Sequence, residues 1–247
     1  MALPNSQVRR SATETRSARA RHSHAIERRD HTPHGVTIAV PSPTARQLRL
    51  QRTFDVILAI AAVAILLIPG LLIAVLVKTT SRGPVLFTQA RVGRGGELFS
   101  VYKFRTMEDG THGAVLSDAE AAEAYRANDF KLPPNDPRIT RFGRLLRKTS
   151  LDEVPQLLNV LFGQMSIVGV RPLLPDELAL RPGLDQGLYR GMRPGMTGLW
   201  QVRGRSTVGK TDRLELDRIY LQNWSVWGDV KIAALTPLAL LRISHAH

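Results

Sequence analysis

The sequence predicts a mainly helical α+β fold with a re-entrant membrane helix, one β-hairpin and surface amphipathic helices. Three observations lead to this fold class. A long apolar run occupies residues 56–77, two alternating segments flank a glycine-rich turn, and much of the remaining chain carries apolar residues at helical spacing. With 247 residues, the chain can form one core and a tail.

The charge of the chain indicates an anionic partner. Its formal net charge is +13 at pH 7, so nucleic acid, an acidic membrane surface and phosphorylated small molecules are all candidates. Cysteine is absent, which excludes disulfides, thiolate metal sites and thiol nucleophiles.

The composition divides the chain into three segments. Residues 1–48 are rich in Arg, Ser, Thr, His and Pro and lack apolar periodicity, so we expect a disordered basic tail. Residues 49–80 form the membrane segment. Residues 81–247 form the folded domain, which contains every candidate site described below.

The membrane segment has no charged residue from Val56 to Val77, which is long enough to cross a hydrocarbon layer of about 30 Å. Pro69-Gly70 interrupts the run, and neither part spans alone. Basic residues occupy both flanks, whereas a spanning helix usually has its positive charge on one side. This favours a helix that enters the bilayer, bends at Pro69-Gly70 and returns to the same face. A straight span and a buried soluble helix are the alternatives.

Residues 84–106 predict the hairpin. Two apolar segments enclose the glycine-rich stretch 93–96, and a turn is favoured over a phosphate cradle because no helix follows it. Lys103 and Arg105 alternate with Tyr102 and Phe104, which places two cations on one face of the second strand. A solvated strand face explains this alternation equally well.

Helical patterns follow the hairpin. We expect a helix from Ser117 to Asn128 and a basic amphipathic helix from Ile139 that carries Arg144 and Arg147, which suits a membrane surface or a phosphate-bearing ligand. The glycine-punctuated loop 193–205, with an exposed-looking Trp200, has the composition of a ligand-binding loop.

Two adjacent acids, Asp152 and Glu153, separate the basic helix from an apolar one. Proline is tolerated in a first helical turn, so Pro155 allows Asp152 to be the N-cap, where the helix dipole favours its ionised form. The buried stripe of that helix would be Leu157, Leu158 and Leu161. Ser150 and Glu153 also match a capping box, a purely structural role.

The combination of an ionised carboxylate, nearby arginines and a membrane segment supports phosphoryl transfer. A carboxylate can attack phosphorus, and such sites neutralise the substrate's phosphates with Arg, Lys and a divalent cation. Glu153 beside Asp152 suits Mg²⁺, which takes one or two carboxylates together with substrate phosphates. The membrane segment would admit a lipid-borne acceptor.

Five segments resemble the bacterial sugar transferase family, the monotopic polyprenyl-phosphate phosphoglycosyltransferases. They are Arg91-Val-Gly93, Tyr102–Met107, Ser150–Ser166, Val168–Pro172 and Arg193–Val202. The resemblance extends in order from about Arg49 to about Ile232. It is to the short form of the family, in which no four-helix membrane domain precedes the catalytic part. It favours a catalytic role for the Asp-Glu pair over a capping box.

The resemblance implies transfer of a sugar-1-phosphate from a UDP-sugar to undecaprenyl phosphate, with release of UMP. This would be the first membrane step of exopolysaccharide, capsule or O-antigen synthesis, with the catalytic domain on the cytoplasmic face of the bacterial inner membrane. It implies that Asp152 is the nucleophile, forming a covalent aspartyl-phosphosugar, and that Glu153, with Asp152, binds Mg²⁺. The expected phosphate or nucleotide contacts are Lys103, Arg147 and Arg171, to which we add their neighbours Arg105 and Arg144.

The chain departs from the family pattern at two places. It has Ile68-Pro69 where the family usually has Ser-Pro, and Val170 where the family usually has a proline before the arginine.

The alternatives from other classes are a membrane-tethered basic protein that binds nucleic acid or anionic lipid without catalysis, and a scaffold for other envelope enzymes. For the enzyme we expect no nucleic-acid partner, and a homodimer is among the expected oligomeric states.

Overall fold

A computed structural model describes residues 43–128, 130, 132–133, 135–204 and 209–243. The predicted basic tail therefore lies outside the described residues up to position 42. Residues 45–48, which were predicted to belong to the disordered tail, are helical instead, because the first helix, α1, begins at Ala45 and extends to Thr80. Thr44 and Gln47 start this helix with a reciprocal capping box.

The apolar run forms one helix rather than two parts. Helix α1 continues through Pro69, although a proline removes one backbone hydrogen bond and crowds the preceding turn. Most of the helix surface is exposed, including Ile65, which is 73% exposed. A fully buried soluble helix is therefore excluded, and α1 is long and apolar enough to cross a membrane.

Both ends of α1 pack on the same domain. Ala59, in the first half, lies in a cluster with Val101 and Leu157. Val77, near the C-terminal end, lies in a cluster with Phe104 and Leu146. Between these two docked regions, Ile65, Leu67, Ile68, Leu71 and Leu72 are exposed, whereas Leu66 packs against the first cluster.

The predicted hairpin is confirmed. Strands β1 (Leu86–Val92) and β2 (Leu98–Phe104) pair antiparallel along their whole length. The connection is a short 3₁₀ turn, Arg94–Gly96, in which Gly95 and Gly96 have φ values of 75° and 87°. Glycine tolerates this left-handed region without a side-chain clash.

The described residues contain further helices that follow α1 and the hairpin in chain order. The helix predicted for 117–128 is confirmed as Ala119–Ala127, which begins where the Asp118 side chain accepts a hydrogen bond from Ala121 N at 2.8 Å. A separate short helix before it, Thr111–Ser117, was not predicted. The helices are α2 (Thr111–Ser117), α3 (Ala119–Ala127), α4 (Arg141–Thr149), α5 (Gln156–Leu161), α6 (Pro175–Ala179), α7 (Gly183–Gly191), α8 (Leu199–Arg203), α9 (Lys210–Gln222) and α10 (Val226–Ile243).

A second, parallel pair of strands was not predicted. Strand β3 (Ser166–Val168) pairs with β4 (Gly195–Thr197). The two backbones approach so closely that a Cβ atom on Gly195 would lie 2.0 Å from Gly169 N, so only glycine fits. This pairing folds part of the predicted loop 193–205 into β4 and α8, and Trp200 in α8 is only 8% exposed, which corrects the prediction of an exposed ring.

Candidate active site

The Asp-Glu pair lies in a tight turn between two helices. Helix α4 ends at Thr149, and Ser150 adopts a left-handed conformation with φ 60°. A 3₁₀ turn, Leu151–Glu153, follows, and α5 begins only at Gln156. The N-cap prediction for Asp152 is therefore wrong. The capping box is also wrong, because among the described residues the Ser150 side chain makes no capping hydrogen bond.

The predicted leucine stripe of α5 is only partly correct. Leu157 and Val160 are buried in the core, but Leu158 is 40% exposed. The buried residues of α5 are Gln156, Leu157, Asn159 and Val160, and Asn159 is fully buried.

Asp152 is buried, with 8% of its surface exposed. Burial, followed by the negative charge of Glu153, raises the pKa of Asp152 to about 6, against the opposing charges of Lys103 and Arg147. The expected effect of a helix dipole is thus overturned. At pH 7 about nine in ten Asp152 side chains are nevertheless ionised, since pH 7 lies about one unit above this pKa.

Lys103 supplies the nearest cation. Its Nζ lies 2.6 Å from Glu153 Oε1, and both side chains are partly exposed. Lys103 is the penultimate residue of β2, so the hairpin holds this cation beside the turn that contains Asp152 and Glu153, here called the dyad. Partial exposure leaves both charges accessible to a substrate.

Arg147 supplies a second cation from the last turn of α4. Its Nε donates a hydrogen bond to Thr106 Oγ1 at 2.9 Å. Burial lowers the pKa of Arg147, and the charge of Asp152 opposes that shift. Within the described part of the chain the two Nη groups have no hydrogen-bond partner, so they can bind an anion beside Asp152. Thr106, which orients the guanidinium, was not predicted.

Asn159 fixes the position of Lys103 relative to Glu153. Its Oδ1 accepts a hydrogen bond from Tyr102 N at 3.0 Å, and its Nδ2 donates to Ser100 O at 2.7 Å. The carboxamide thus pairs with the outer edge of β2 as a neighbouring strand would. Nδ2 also donates to Gln164 Oε1 at 2.7 Å. No periodicity or charge pattern in the sequence indicated this role.

Arg105 and Arg144, two of the predicted phosphate contacts, make structural contacts elsewhere. The Arg105 guanidinium donates to Ser81 O at 2.8 Å and to Pro84 O, so it binds backbone at the C-terminal end of α1. Arg144 is exposed and donates to Ile139 O at 2.8 Å. The structure therefore brings Lys103 and Arg147 to the dyad and directs these two arginines to backbone carbonyls.

Arg171 lines a separate cavity of about 100 Å³ and lies 3.8 Å from Glu177. Arg181 and Asp217 form an ion pair of 2.9 Å in the wall of this cavity. Burial raises the pKa of Asp217 to about 6 against the charge of Arg181. Arg213 stacks on the Trp200 ring 4.9 Å from its centroid. Trp200, noted in the sequence as part of a ligand-binding loop, thus lines this cavity.

The dyad fits a magnesium ion only with help from a substrate. The described residues contain no group of three or more His, Asp or Glu side chains placed to hold a metal. Asp152 and Glu153 repel each other, as the raised pKa of Asp152 indicates, and a divalent cation would relieve that repulsion. Two carboxylates together with phosphate oxygens are a usual Mg²⁺ ligand set.

Comparison with known proteins identifies the family of the chain. Residues 46–243 match the model of the family described as bacterial sugar transferase. The chain is 44% identical over 203 residues to the undecaprenyl-phosphate galactose phosphotransferase of Salmonella typhimurium, an alignment that covers 80% of this chain and 42% of that protein. It is 42% identical over 194 residues to the UDP-glucose:undecaprenyl-phosphate glucose-1-phosphate transferase of Klebsiella pneumoniae, covering 75% of this chain and 39% of that protein.

A shorter relative is covered more fully. The chain is 43% identical over 192 residues to the exopolysaccharide production protein ExoY of Rhizobium meliloti, covering 75% of this chain and 83% of that protein. The chain spans less than half of the length of the Salmonella and Klebsiella proteins. The family model covers most of the sequence, including all five segments that carried the resemblance, and the chain belongs to the bacterial sugar transferase family.

Proposed function

We propose that this chain transfers a sugar-1-phosphate from a UDP-sugar to undecaprenyl phosphate and releases UMP. The observation that carries the proposal is a buried carboxylate, Asp152, whose pKa of about 6 leaves it mostly ionised at neutral pH between Lys103 and Arg147. The names of the Klebsiella and Salmonella relatives contain undecaprenyl phosphate, and the first also contains UDP-glucose. Family membership gives no support to a membrane-tethered basic protein without catalysis.

In the first step an Asp152 carboxylate oxygen attacks the β-phosphorus of the UDP-sugar, the atom bonded to the sugar oxygen. The bond from that phosphorus to the bridging oxygen breaks, and UMP leaves with the bonding electrons. Asp152 now carries the phosphosugar as an acyl phosphate. Because UMP leaves as an anion, the step needs no proton from a general acid.

In the second step a phosphate oxygen of undecaprenyl phosphate attacks the same phosphorus. The bond between phosphorus and the Asp152 oxygen breaks, which regenerates the carboxylate and yields a polyprenyl diphosphate sugar. Two displacements at one phosphorus give a ping-pong sequence in which donor and acceptor use the same charged surroundings in turn.

The cations around Asp152 would neutralise the anionic substrates. The Arg147 Nη groups suit an oxygen of the transferred phosphate, because Thr106 binds the other side of the guanidinium. Lys103 would exchange part of its contact with Glu153 for a phosphate oxygen. Glu153, with Asp152, would hold Mg²⁺, which when bound neutralises charge on the diphosphate.

We propose that α1 enters the bilayer and returns to the same face, which is the cytoplasmic face of the inner membrane. The support is that both ends of α1 dock on one domain. Near the first end, Arg52 Nη2 donates to Leu161 O at 2.8 Å. Near the other, Arg105 binds Ser81 O. A straight span would place these two ends on opposite sides of the bilayer, away from a common domain.

The function is tested with Asp152→Asn, which keeps the shape of the side chain and removes the nucleophilic charge. Purified variant and wild type are incubated with a panel of UDP-sugars, undecaprenyl phosphate and Mg²⁺, and UMP release is followed. We expect loss of activity by at least about a thousandfold, as for removal of a nucleophile. Asp109→Asn, at an exposed acid in a turn, is the control. Wild-type turnover by Asp152→Asn would refute the proposal.

A further inference from the structure

We propose that four arginines near the N-terminal end of α1 bind the phosphate of an anionic phospholipid headgroup, at a site separate from Asp152. The site consists of Arg52, Arg94, Arg190 and Arg193, here called the basic foot. It presupposes the membrane attachment of α1 proposed above, but none of the proposed chemistry.

Two members of the basic foot hold one turn from both sides. Arg52 donates to Val160 O and, at 2.8 Å, to Leu161 O, while Arg193 Nε donates to Gly163 O at 2.8 Å. A Cβ atom on Gly163 would lie 3.7 Å from Arg52 Nη2. Both guanidinium groups therefore lie beside the same glycine, where the chain leaves α5.

The other two members approach from the hairpin turn and from α7. Arg94 begins the 3₁₀ turn of the hairpin, and a Cβ atom on Gly96 in that turn would lie 3.6 Å from Arg190 Nε. Arg190, in the last turn of α7, precedes Arg193 by three residues. Burial, followed by the charges of Arg94 and Arg52, lowers the pKa of Arg193, which indicates that these cations repel one another.

Few acids balance this charge. Among the described residues no ion pair involves Arg94, Arg190 or Arg193. The nearby Asp55 directs its Oδ1 inward, where it accepts hydrogen bonds from Ser166 Oγ and Ile167 N, each at 2.8 Å. The exposed Glu97 follows the hairpin turn. Four cations against two acids leave net positive charge that a phosphate would neutralise.

The position of the basic foot selects a lipid as the source of that phosphate. Arg52 lies one helical turn before the uncharged run that starts at Val56. Phe162, on the turn that Arg52 and Arg193 hold, is 65% exposed, and Leu158 is 40% exposed one turn earlier. Exposed apolar side chains beside arginines suit the boundary between acyl chains and headgroups. The dyad, in contrast, precedes α5, so the two sites lie at opposite ends of that helix.

The test measures lipid binding by the purified full chain in detergent, without donor or acceptor. Native mass spectrometry follows titration with phosphatidylglycerol or with zwitterionic phosphatidylcholine, and inorganic phosphate is added as a competitor. We expect phosphatidylglycerol to bind at least about tenfold more tightly than phosphatidylcholine, and millimolar phosphate to leave it bound. Equal affinity for the two lipids, or displacement by inorganic phosphate, would overturn the proposal.

The variants Arg94→Gln and Arg193→Gln are each expected to weaken phosphatidylglycerol binding by about fivefold or more. Arg94 makes no contact that holds the fold in the described residues, so its variant remains informative if Arg193→Gln is unstable. Arg126→Gln, at an exposed arginine in α3, controls for total charge. Unchanged binding by Arg94→Gln, or equal weakening by Arg126→Gln, would contradict the site. Asp152→Asn is expected to bind the lipid normally, which separates this test from that of the chemistry.

Discussion

Lys103 Nζ lies 2.6 Å from Glu153 Oε1. Lys103 is on β2, and Glu153 lies in the turn just before α5. Asn159 of α5 hydrogen-bonds to β2 and so holds the two residues together. The ion pair places a positive charge within reach of Asp152, whose other neighbour, Glu153, is negative. The pKa of Asp152 therefore depends on two opposing charges. Changing either one is expected to change the pH at which the enzyme gains activity.

Lys103→Gln is predicted to move the acidic limb of the pH–activity profile upward. Lys103 lowers the pKa of Asp152, which in the wild type is about 6, so its removal keeps the carboxylate protonated to a higher pH. The measurement is the pH dependence of kcat/KM for UMP release between pH 5 and 9. Glu153→Gln should move the limb downward, because Glu153 raises the same pKa.

Lys148→Gln, at an exposed lysine in α4, is the control for that experiment and should leave the midpoint near pH 6. A midpoint that shifts the same way in Lys103→Gln and Glu153→Gln would contradict the assigned balance of charges.

Asp152→Asn is predicted to stabilise the fold at pH 7.5 while it abolishes activity. Folding raises the pKa of Asp152, so the folded state binds its proton more tightly than the unfolded state does. The free energy of unfolding therefore decreases as the pH rises from the unfolded pKa to the folded pKa, and above both values the charged carboxylate destabilises the fold. The rise from 3.8 to about 6 corresponds to at most about 3 kcal/mol. Thermal unfolding in detergent at pH 7.5 and at pH 4 measures this.

The stabilisation should largely disappear at pH 4, where the wild-type carboxyl is protonated in the folded state and about two-fifths protonated in the unfolded state. Asp109→Asn, at an exposed acid, is the control. A lower melting temperature for Asp152→Asn at pH 7.5 would refute the idea that the active site holds this charge at a cost in stability.

Asn159→Ala is predicted to destabilise the protein by about 2–4 kcal/mol, because it removes three hydrogen bonds of a fully buried side chain. For a chain of this size the melting temperature should fall by roughly 4–16 °C. The control is Asn223→Ala, which removes one exposed hydrogen bond to Ile219 O. Similar melting temperatures for the two variants would show that Asn159 does not join β2 to α5.

The absence of cysteine makes the topology of α1 directly testable. Arg46→Cys and Arg82→Cys, at exposed positions on either side of the apolar run, are labelled separately with a membrane-impermeant thiol reagent. In intact cells both should be protected, and after permeabilisation both should react. Labelling of one position alone in intact cells would support a straight span.

The sequence predicted the features that have strong local patterns. The uncharged run 56–77 identified α1, and alternation around Gly95 and Gly96 identified the hairpin. In the candidate site, the motif residues Lys103 and Arg147 lie beside Asp152 and Glu153 as expected. For α1 and the hairpin, neighbouring residues in the chain determine the structure, whereas Lys103 and Arg147 were identified by the motifs in which they occur.

Features that depend on distant contacts were missed. Strands of three residues, such as β3, are too short to show alternation, and Asn159 acts through contacts about 57 residues away in sequence. The start of α5 was predicted too early, because Pro155 fits several positions of a first turn. Arg105 looked like a phosphate ligand on a strand face, but binds the backbone at the end of α1.

The most direct test of the central claim is peptide mass spectrometry of protein incubated with a UDP-sugar and Mg²⁺ in the absence of acceptor. The proposed mechanism predicts that the mass of a phosphosugar is found on the peptide containing Asp152, that it disappears when undecaprenyl phosphate is added, and that it is absent in Asp152→Asn. An adduct on another residue, or an adduct that forms in Asp152→Asn, would contradict the account.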